Sequence, residues 1–176
     1  MARLCSIDAS TNNLAYAIFD GEDLERYGKI SFGGQTIYEK ISNINNLILG
    51  EFEHDWIHTA VMERAVFMNS PKTMSELSMV QGAIMAGLSS AKIKNCLGVP
   101  PITWQNGIGN KALTKSEKLE IRKEYPDKSA SWYKNYEREF RKQRTIKFVN
   151  INYDVSIDDN DIADAIAIGH YIIHHT

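Results

Sequence analysis

Three apolar runs fill the first 32 residues of the chain and constrain its fold more than any other feature. Leu4–Ile7 and Leu14–Phe19 are short and rich in strand-forming residues, and a third run covers Leu24–Phe32. The dipeptide Asp20-Gly21, between the second and third runs, is typical of a hairpin turn. The spacing therefore predicts three consecutive antiparallel strands at the N-terminus.

Helical and strand patterns alternate in the middle of the chain. Apolar residues recur at helical spacing over about 35–49. An apolar strand at Ile57–Met62 follows, and a helix is predicted at about 72–94. Gly98–Trp104 is interpreted as a further strand, limited by its prolines. This alternation is typical of parallel strands joined by crossover helices.

The C-terminal third is predicted to be helical, with segments at about 114–124, 131–150 and 159–173. Thr114 and Glu117 form a capping box at the start of the first. The β-branched pair Thr145-Ile146 leaves a strand open as an alternative for the second half of the middle segment. The complete order predicts one α/β domain over residues 1–176: a mixed five-stranded sheet, three antiparallel strands then two parallel ones, flanked by helices.

Four acidic residues fall at the ends of these predicted elements. Asp8 and Glu63 each follow an apolar strand, which is where open α/β sheets place their chemistry. Asp161 and Asp164 lie three residues apart on one face of the last helix, beside an apolar stripe. Acids in the first turn of a helix also interact favourably with the positive end of the helix dipole, so this pair taken alone could serve only to stabilise the helix. Taken together, the four predict a carboxylate cluster if the first and fourth strands are neighbours.

A cluster of four carboxylates requires positive charge, because like charges raise one another's pKa values. Oxygen-only ligands favour Mg²⁺, with Mn²⁺ able to substitute. Two such ions per site can clamp an in-line phosphoryl displacement. We therefore expect Asp8, Glu63, Asp161 and Asp164 to be both metal ligands and catalytic residues.

Charge is unevenly distributed along a chain whose net charge is only −2. Residues 111–147 contain twelve Lys and Arg against six Asp and Glu, while the remainder is acidic. A basic segment on an acidic body indicates an anionic partner, with nucleic acid first, although a solvated helical face is the alternative. The candidate DNA-binding residues on its long helix are Arg138, Arg141, Lys142 and Arg144.

Several classes of protein are excluded or disfavoured by composition. No apolar run is long enough to span a membrane, and no signal peptide is recognisable, so we expect a cytoplasmic protein. Cys5 and Cys96 are far apart and suit two small core residues in a reducing compartment.

Three blocks of sequence resemble the RuvC-like Holliday junction resolvases of the ribonuclease H-like superfamily, most closely the versions carried by phages and large viruses. The first is Leu4-Cys5-Ser6-Ile7-Asp8-Ala9-Ser10, followed by Leu14-Ala15-Tyr16-Ala17. The second is Val61-Met62-Glu63-Arg64-Ala65-Val66-Phe67-Met68. The third is Asp161-Ile162-Ala163-Asp164-Ala165-Ile166-Ala167-Ile168. Each block alone is weak evidence, but all three occur in the family's order within one domain.

This resemblance implies a structure-selective endonuclease that uses Mg²⁺ to nick two opposed strands of a four-way DNA junction. In host cytoplasm, a bacteriophage protein of this kind would serve recombination and repair. Phe67 is the candidate for the family's junction-inserting aromatic, although a core position is nearly as well supported. The family's assisting lysines fall in the region of Lys111, Lys115 and Lys118, and Lys118 is included among the catalytic residues. The basic helical segment at about 111–150 is expected to be an insertion that widens the choice of branched DNA.

The helix at about 72–94 is apolar on two faces and carries small residues at every fourth position. We expect one face on the sheet and the other at a homodimer interface, as the family resemblance also implies.

The alternative functions are a ribonuclease H-type nuclease with the same chemistry and a non-catalytic module that binds branched DNA. An actin-like or sugar-kinase ATPase domain is disfavoured, because those proteins need two such domains.

Overall fold

Five strands form one mixed sheet in the order β3-β2-β1-β4-β5. The structure is a computed structural model that describes residues 3–66 and 70–175. β1 pairs antiparallel with β2 and β2 with β3, whereas β1–β4 and β4–β5 are parallel. The predicted fold class is therefore confirmed. The strands are β1 (Arg3–Ala9), β2 (Asn13–Asp20), β3 (Asp23–Ser31), β4 (Ile57–Glu63) and β5 (Asn95–Val99).

Helices cover both faces of the sheet. Thr36 and Thr114 begin the first and fourth with capping boxes, in which the threonine hydroxyl accepts from the backbone three residues later and a glutamate caps in return. The box at Thr114 was predicted from the sequence. The helices are α1 (Ile37–Phe52), α2 (Pro71–Ser90), α3 (Pro101–Gly107), α4 (Lys115–Glu124), α5 (Ala130–Tyr153) and α6 (Asn160–His175).

The sheet separates two apolar cores, and the alternation of β1 decides which face the functional residues share. Cys5 and Ile7 point into the core formed with α1 and α2. Leu4 points into the other core, formed with α3, α5 and α6. Because side chains alternate along a strand, Asp8 faces the same side as Leu4. On β4, Val61 lies in that core too, so Glu63 also faces α6.

The structure corrects one prediction about local structure and decides between two alternatives for another segment. Gly98–Trp104 is not one strand: β5 ends at Val99, and Pro101 opens α3. Proline at the first helical position has no unsatisfied N–H and already has the required φ, so the helix begins there. The segment around Thr145 is helical rather than extended, because Thr145 and Val149 share the buried face of α5.

In the described residues, no helix combines the length and the apolar character that crossing a membrane would require.

The approach of α6 to the sheet depends on Gly169. A Cβ atom at this position would lie 2.2 Å from Phe19 Cε2 and 2.6 Å from Ser6 Oγ. Ser6 and Phe19 are fully buried on β1 and β2, so neither can move away cheaply. The missing side chain therefore sets the distance between α6 and the two strands.

We expect Gly169→Ala to lower the free energy of unfolding by about 2–4 kcal/mol, because overpacking forces the helix off the sheet. The matched control is Gly50→Ala on α1, where nothing lies within 4 Å of the new Cβ. That change should stabilise the protein by up to about 1 kcal/mol through helix propensity. Urea unfolding measures both values; equal effects would contradict the close packing at Gly169.

Candidate active site

Asp8 and Glu63 lie side by side at the ends of adjacent parallel strands. Ile7 is in register with Met62, so each acid lies one residue beyond this pair. Both acids face α6, as the alternation of the strands requires. The condition that the sequence left open, that the first and fourth strands are neighbours, is met.

Asp161 and Asp164 reach the same place from the first turns of α6. Asp159 fixes the start of this helix, since its Oδ1 accepts the backbone N–H groups of Asp161 at 2.9 Å and Ile162 at 3.1 Å. Asp164 accepts a hydrogen bond of 3.2 Å from the side-chain amide of Asn160. All four predicted acids line one cleft of about 580 Å³: Asp8, Glu63, Asp161 and Asp164.

Burial and mutual repulsion raise the pKa values in this cleft. The pKa of Asp8 is well above its usual range, chiefly through burial and then through the charges of Glu63, Asp164 and Asp161. Burial, followed by the Glu63 charge, raises the pKa of Asp164 to about 7. Burial also raises the pKa of Glu63, although a hydrogen bond from Trp104 opposes the shift. Asp8 and Asp164 therefore lack sufficient positive charge close to their carboxyl groups.

Two residues that the sequence interpretation missed hold these acids. Trp104 is fully buried on α3, and its indole N–H donates to Glu63 Oε2 at 2.7 Å. Lys29 on β3 places its Nζ 2.6 Å from Asp161 Oδ2 and 2.9 Å from Asp159 Oδ2. Burial lowers the pKa of Lys29, but hydrogen bonds to the two aspartates outweigh it and raise the pKa.

The signals that would have found these two residues differ. If a helix had been predicted to begin at Pro101, Trp104 would have been expected to face the ends of the strands. For Lys29 the chain gives no local signal, because its partners lie about 130 residues further along.

The donor set fits a hard divalent cation. The four acids supply only carboxylate oxygens, and the raised pKa values of Asp8 and Asp164 reflect a repulsion between negative charges that a cation would offset. Within residues 3–66 and 70–175, no three acidic, thiol or imidazole side chains are already arranged to enclose an ion. Cation binding would therefore require side-chain adjustment.

One wall of the cleft is the N-terminal half of α5. Lys134, Arg138, Arg141 and Lys142 all line the cleft, together with Glu137 of the same helix. The guanidinium of Arg141 is held by Gln105 Oε1 at 2.5 Å and by a backbone carbonyl at 3.2 Å, so it also connects α5 to α3. Lys134 and Arg138 are exposed. Lys134 was not among the predicted DNA-binding residues.

The other predicted basic residues lie elsewhere. Lys118 pairs with Glu137 at 2.7 Å, and Arg144 pairs with Glu117 at 2.8 Å. Lys111 precedes α4, Lys115 is its first residue, and both are exposed. Of the described residues, those lining the cleft do not include these four. Phe67 lies outside the described residues.

Part of the small-residue pattern on α2 is explained by packing within the chain. A Cβ at Gly87 would lie 3.0 Å from Ile48 Cβ, so this glycine lets α2 approach α1. Gly82, in contrast, is exposed and has open space around it. Met79 is also exposed. The homodimer interface on this helix stays a prediction, as does the role of residues 111–150 as an insertion.

Comparison with known proteins gives structural matches without sequence matches. The sequence matches no protein-family model and no curated protein sequence. Thermus thermophilus RuvC in complex with Holliday junction substrate superimposes with a TM-score of 0.69 at 11% identity, covering 96% of this chain and 91% of RuvC. A second structure of Thermus thermophilus RuvC gives a TM-score of 0.66 at 12% identity, covering 96% of this chain and 92% of that one.

A further match is the yeast mitochondrial Holliday junction resolvase Ydc2. Its TM-score is 0.52 at 14% identity, with coverage of 98% of this chain and 78% of Ydc2. At these identities the likeness establishes the fold. The fold that the sequence resemblance implied is therefore confirmed: this chain shares the fold of RuvC.

Asp164→Asn should stabilise the metal-free protein at pH 8 by about 2–4 kcal/mol, because the ionised carboxyl is held in an environment that favours its protonated form. The folded pKa, about 7, is above the unfolded value. Wild-type stability should therefore fall as pH rises from about 4 to 7, and the variant should lack that component of the decline.

The control for this prediction is Asp159→Asn, five residues earlier. Burial of Asp159 raises its pKa, but hydrogen bonds from Lys29 and two backbone N–H groups outweigh this and lower it. Neutralisation should thus cause a small loss of stability. Urea unfolding in EDTA at pH 5 and pH 8 measures both variants, and destabilisation by Asp164→Asn at pH 8 would contradict the electrostatic account.

Proposed function

We propose that this protein is a structure-selective DNA endonuclease that resolves Holliday junctions by Mg²⁺-dependent paired nicking. The observation that carries the proposal is the placement of four acids from three elements in one cleft, on a fold shared with RuvC and Ydc2. The basic wall of α5 beside these acids supports an anionic, extended substrate. Other branched DNAs, such as forks and flaps, fit the same chemistry.

The four acids would hold two Mg²⁺ ions, with Mn²⁺ able to replace them. When bound, these cations supply an activated water and stabilise the leaving 3′ oxygen. Asp8 and Glu63 contribute from fixed strand ends, so the sheet sets their separation. Trp104 orients one Glu63 oxygen and leaves the other free to act as a ligand. Asp164 is oriented by Asn160 in the same way.

The wall of α5 would bind the phosphate backbone near the acids. Arg138 and Lys142 are one helical turn apart on the cleft face, and Lys134 extends the same row. Such contacts set the position of the DNA without reading its sequence. Exposed Gly82 and Met79 on α2 support a second copy of the chain on that face, and a two-fold dimer suits a two-fold junction.

Strand cleavage of a synthetic four-way junction with Mg²⁺ tests the proposal. We expect paired nicks from the wild type, and a loss of at least about a hundredfold for Asp8→Asn and Asp161→Asn, because each variant removes a charged ligand. Junction binding in Ca²⁺ should persist in both variants. EDTA should abolish cleavage, and linear duplex should be a poor substrate.

Two other outcomes would replace the proposal. Cleavage of an RNA–DNA hybrid in preference to the junction would keep the acids as catalytic residues and indicate a ribonuclease H-type nuclease. Junction binding without metal-dependent cleavage of any substrate would indicate a non-catalytic binding module.

Salt dependence tests the α5 wall separately. The double variant Arg138→Gln/Lys142→Gln should weaken junction binding and reduce the slope of log K against log salt concentration by about 1–2, because two phosphate contacts are lost. Lys147→Gln is the control: it is exposed on the same helix but does not line the cleft. Fluorescence anisotropy between 50 and 200 mM salt, a range of about fourfold, resolves such slopes. A slope equal to that of the wild type would exclude this wall from DNA binding.

A further inference from the structure

Lys29 connects the far edge of the sheet to one of the four candidate ligands. Its Nζ lies 2.6 Å from Asp161 Oδ2, and both side chains are only partly exposed, at 28% and 36%. Ile30 beside it packs against the α1 and α2 side, so Lys29 points to the opposite, α6 side. In the described part of the chain, it is the one cationic residue in an ion pair with any of Asp8, Glu63, Asp161 and Asp164.

The same lysine has a second partner outside the ligand set. Its Nζ lies 2.9 Å from Asp159 Oδ2, while Asp159 Oδ1 caps α6. Lys29 can therefore leave Asp161 without losing all of its charge compensation. The cap uses the other carboxylate oxygen and two backbone N–H groups, so Asp159 can bind the lysine and cap α6 at the same time.

A carboxylate that holds an ammonium group cannot give the same oxygen to a cation. The ammonium is also a like charge beside the site, which lowers its affinity for a divalent cation. The position of Asp161 in the metal-free protein is thus stabilised by a charge that cation binding must displace.

We propose that Lys29 is a positioning residue that holds Asp161 in the metal-free protein and that, when a divalent cation binds, it releases Asp161 and keeps only its contact with Asp159. This inference rests on the proposed function, because it concerns the same cleft. Its consequence is that the lysine keeps the repelling acids ordered before the cation arrives. The lysine thereby raises the cation concentration at which the site is half occupied.

Calorimetric titration with Mn²⁺ tests this exchange without reference to cleavage. We expect Lys29→Gln to bind Mn²⁺ about three- to tenfold more tightly than the wild type, because a competing positive charge is removed. Lys29→Arg should stay near the wild-type affinity. Arg26→Gln is the matched control: it removes a cation of the same strand that pairs with Asp55, at the end remote from the cleft.

Hydrogen exchange separates this role from a merely structural one. In EDTA, the first-turn amides of α6 should exchange faster in Lys29→Gln than in the wild type, and Mg²⁺ should restore their protection. Unchanged or weaker Mn²⁺ binding by Lys29→Gln, with binding by the wild type intact, would overturn the inference and leave the proposed function standing. Mn²⁺ binding that is absent from the wild type, or that Asp8→Asn and Asp161→Asn leave unaltered, would overturn both.

Discussion

The close approach of α6 to β1 and β2 is the contact on which the rest of the site depends. Gly169 permits it, because any side chain there would overlap Phe19 and Ser6. Ala163, Ile166 and Ala167 fill the same interface and are fully buried. With the helix fixed at this distance, its first turns end beside the carboxyl ends of β1 and β4. Two acids from the helix and two from the strands consequently share one cleft.

That arrangement opposes the stability of the metal-free chain. Burial, followed by the charges of nearby acids, raises the pKa values of Asp8 and Asp164. Keeping these two carboxyl groups ionised therefore destabilises the folded, metal-free chain. The surrounding polar contacts reduce the cost: Trp104 donates to Glu63, Asn160 to Asp164, and Lys29 pairs with Asp161. Perturbed carboxyl groups held by dedicated partners in a cleft are typical of functional sites.

The wall of α5 gives the cleft its second chemical character. Asn110, which is buried, donates to the Arg141 backbone carbonyl at 2.8 Å and to Thr145 Oγ1 at 3.0 Å. These bonds hold the middle of α5 against the loop that follows α3, so they fix the position of the basic row relative to that loop. An anionic ligand would therefore meet the acids and the basic row together. The aromatic face of this helix is used in packing: Trp132 and Tyr136 stack on each other, and the ring of Tyr125 packs against both at a tilt.

The sequence by itself determined the class of fold and the identity of the four acids. Period-two and helical apolar patterns are local, so the order of strands and helices could be read directly, and Asp8 and Glu63 were recognised where the apolar runs stop. The prediction of a strand at Gly98–Trp104 was wrong, because two consecutive prolines are compatible both with the end of a strand and with the start of a helix. Tertiary structure alone decided that β1 and β4 are neighbours, that Lys29 meets Asp161, and that Trp104 meets Glu63. Those contacts join residues 41 to 132 positions apart, and no local pattern encodes them, because they arise only when packed layers bring distant segments together.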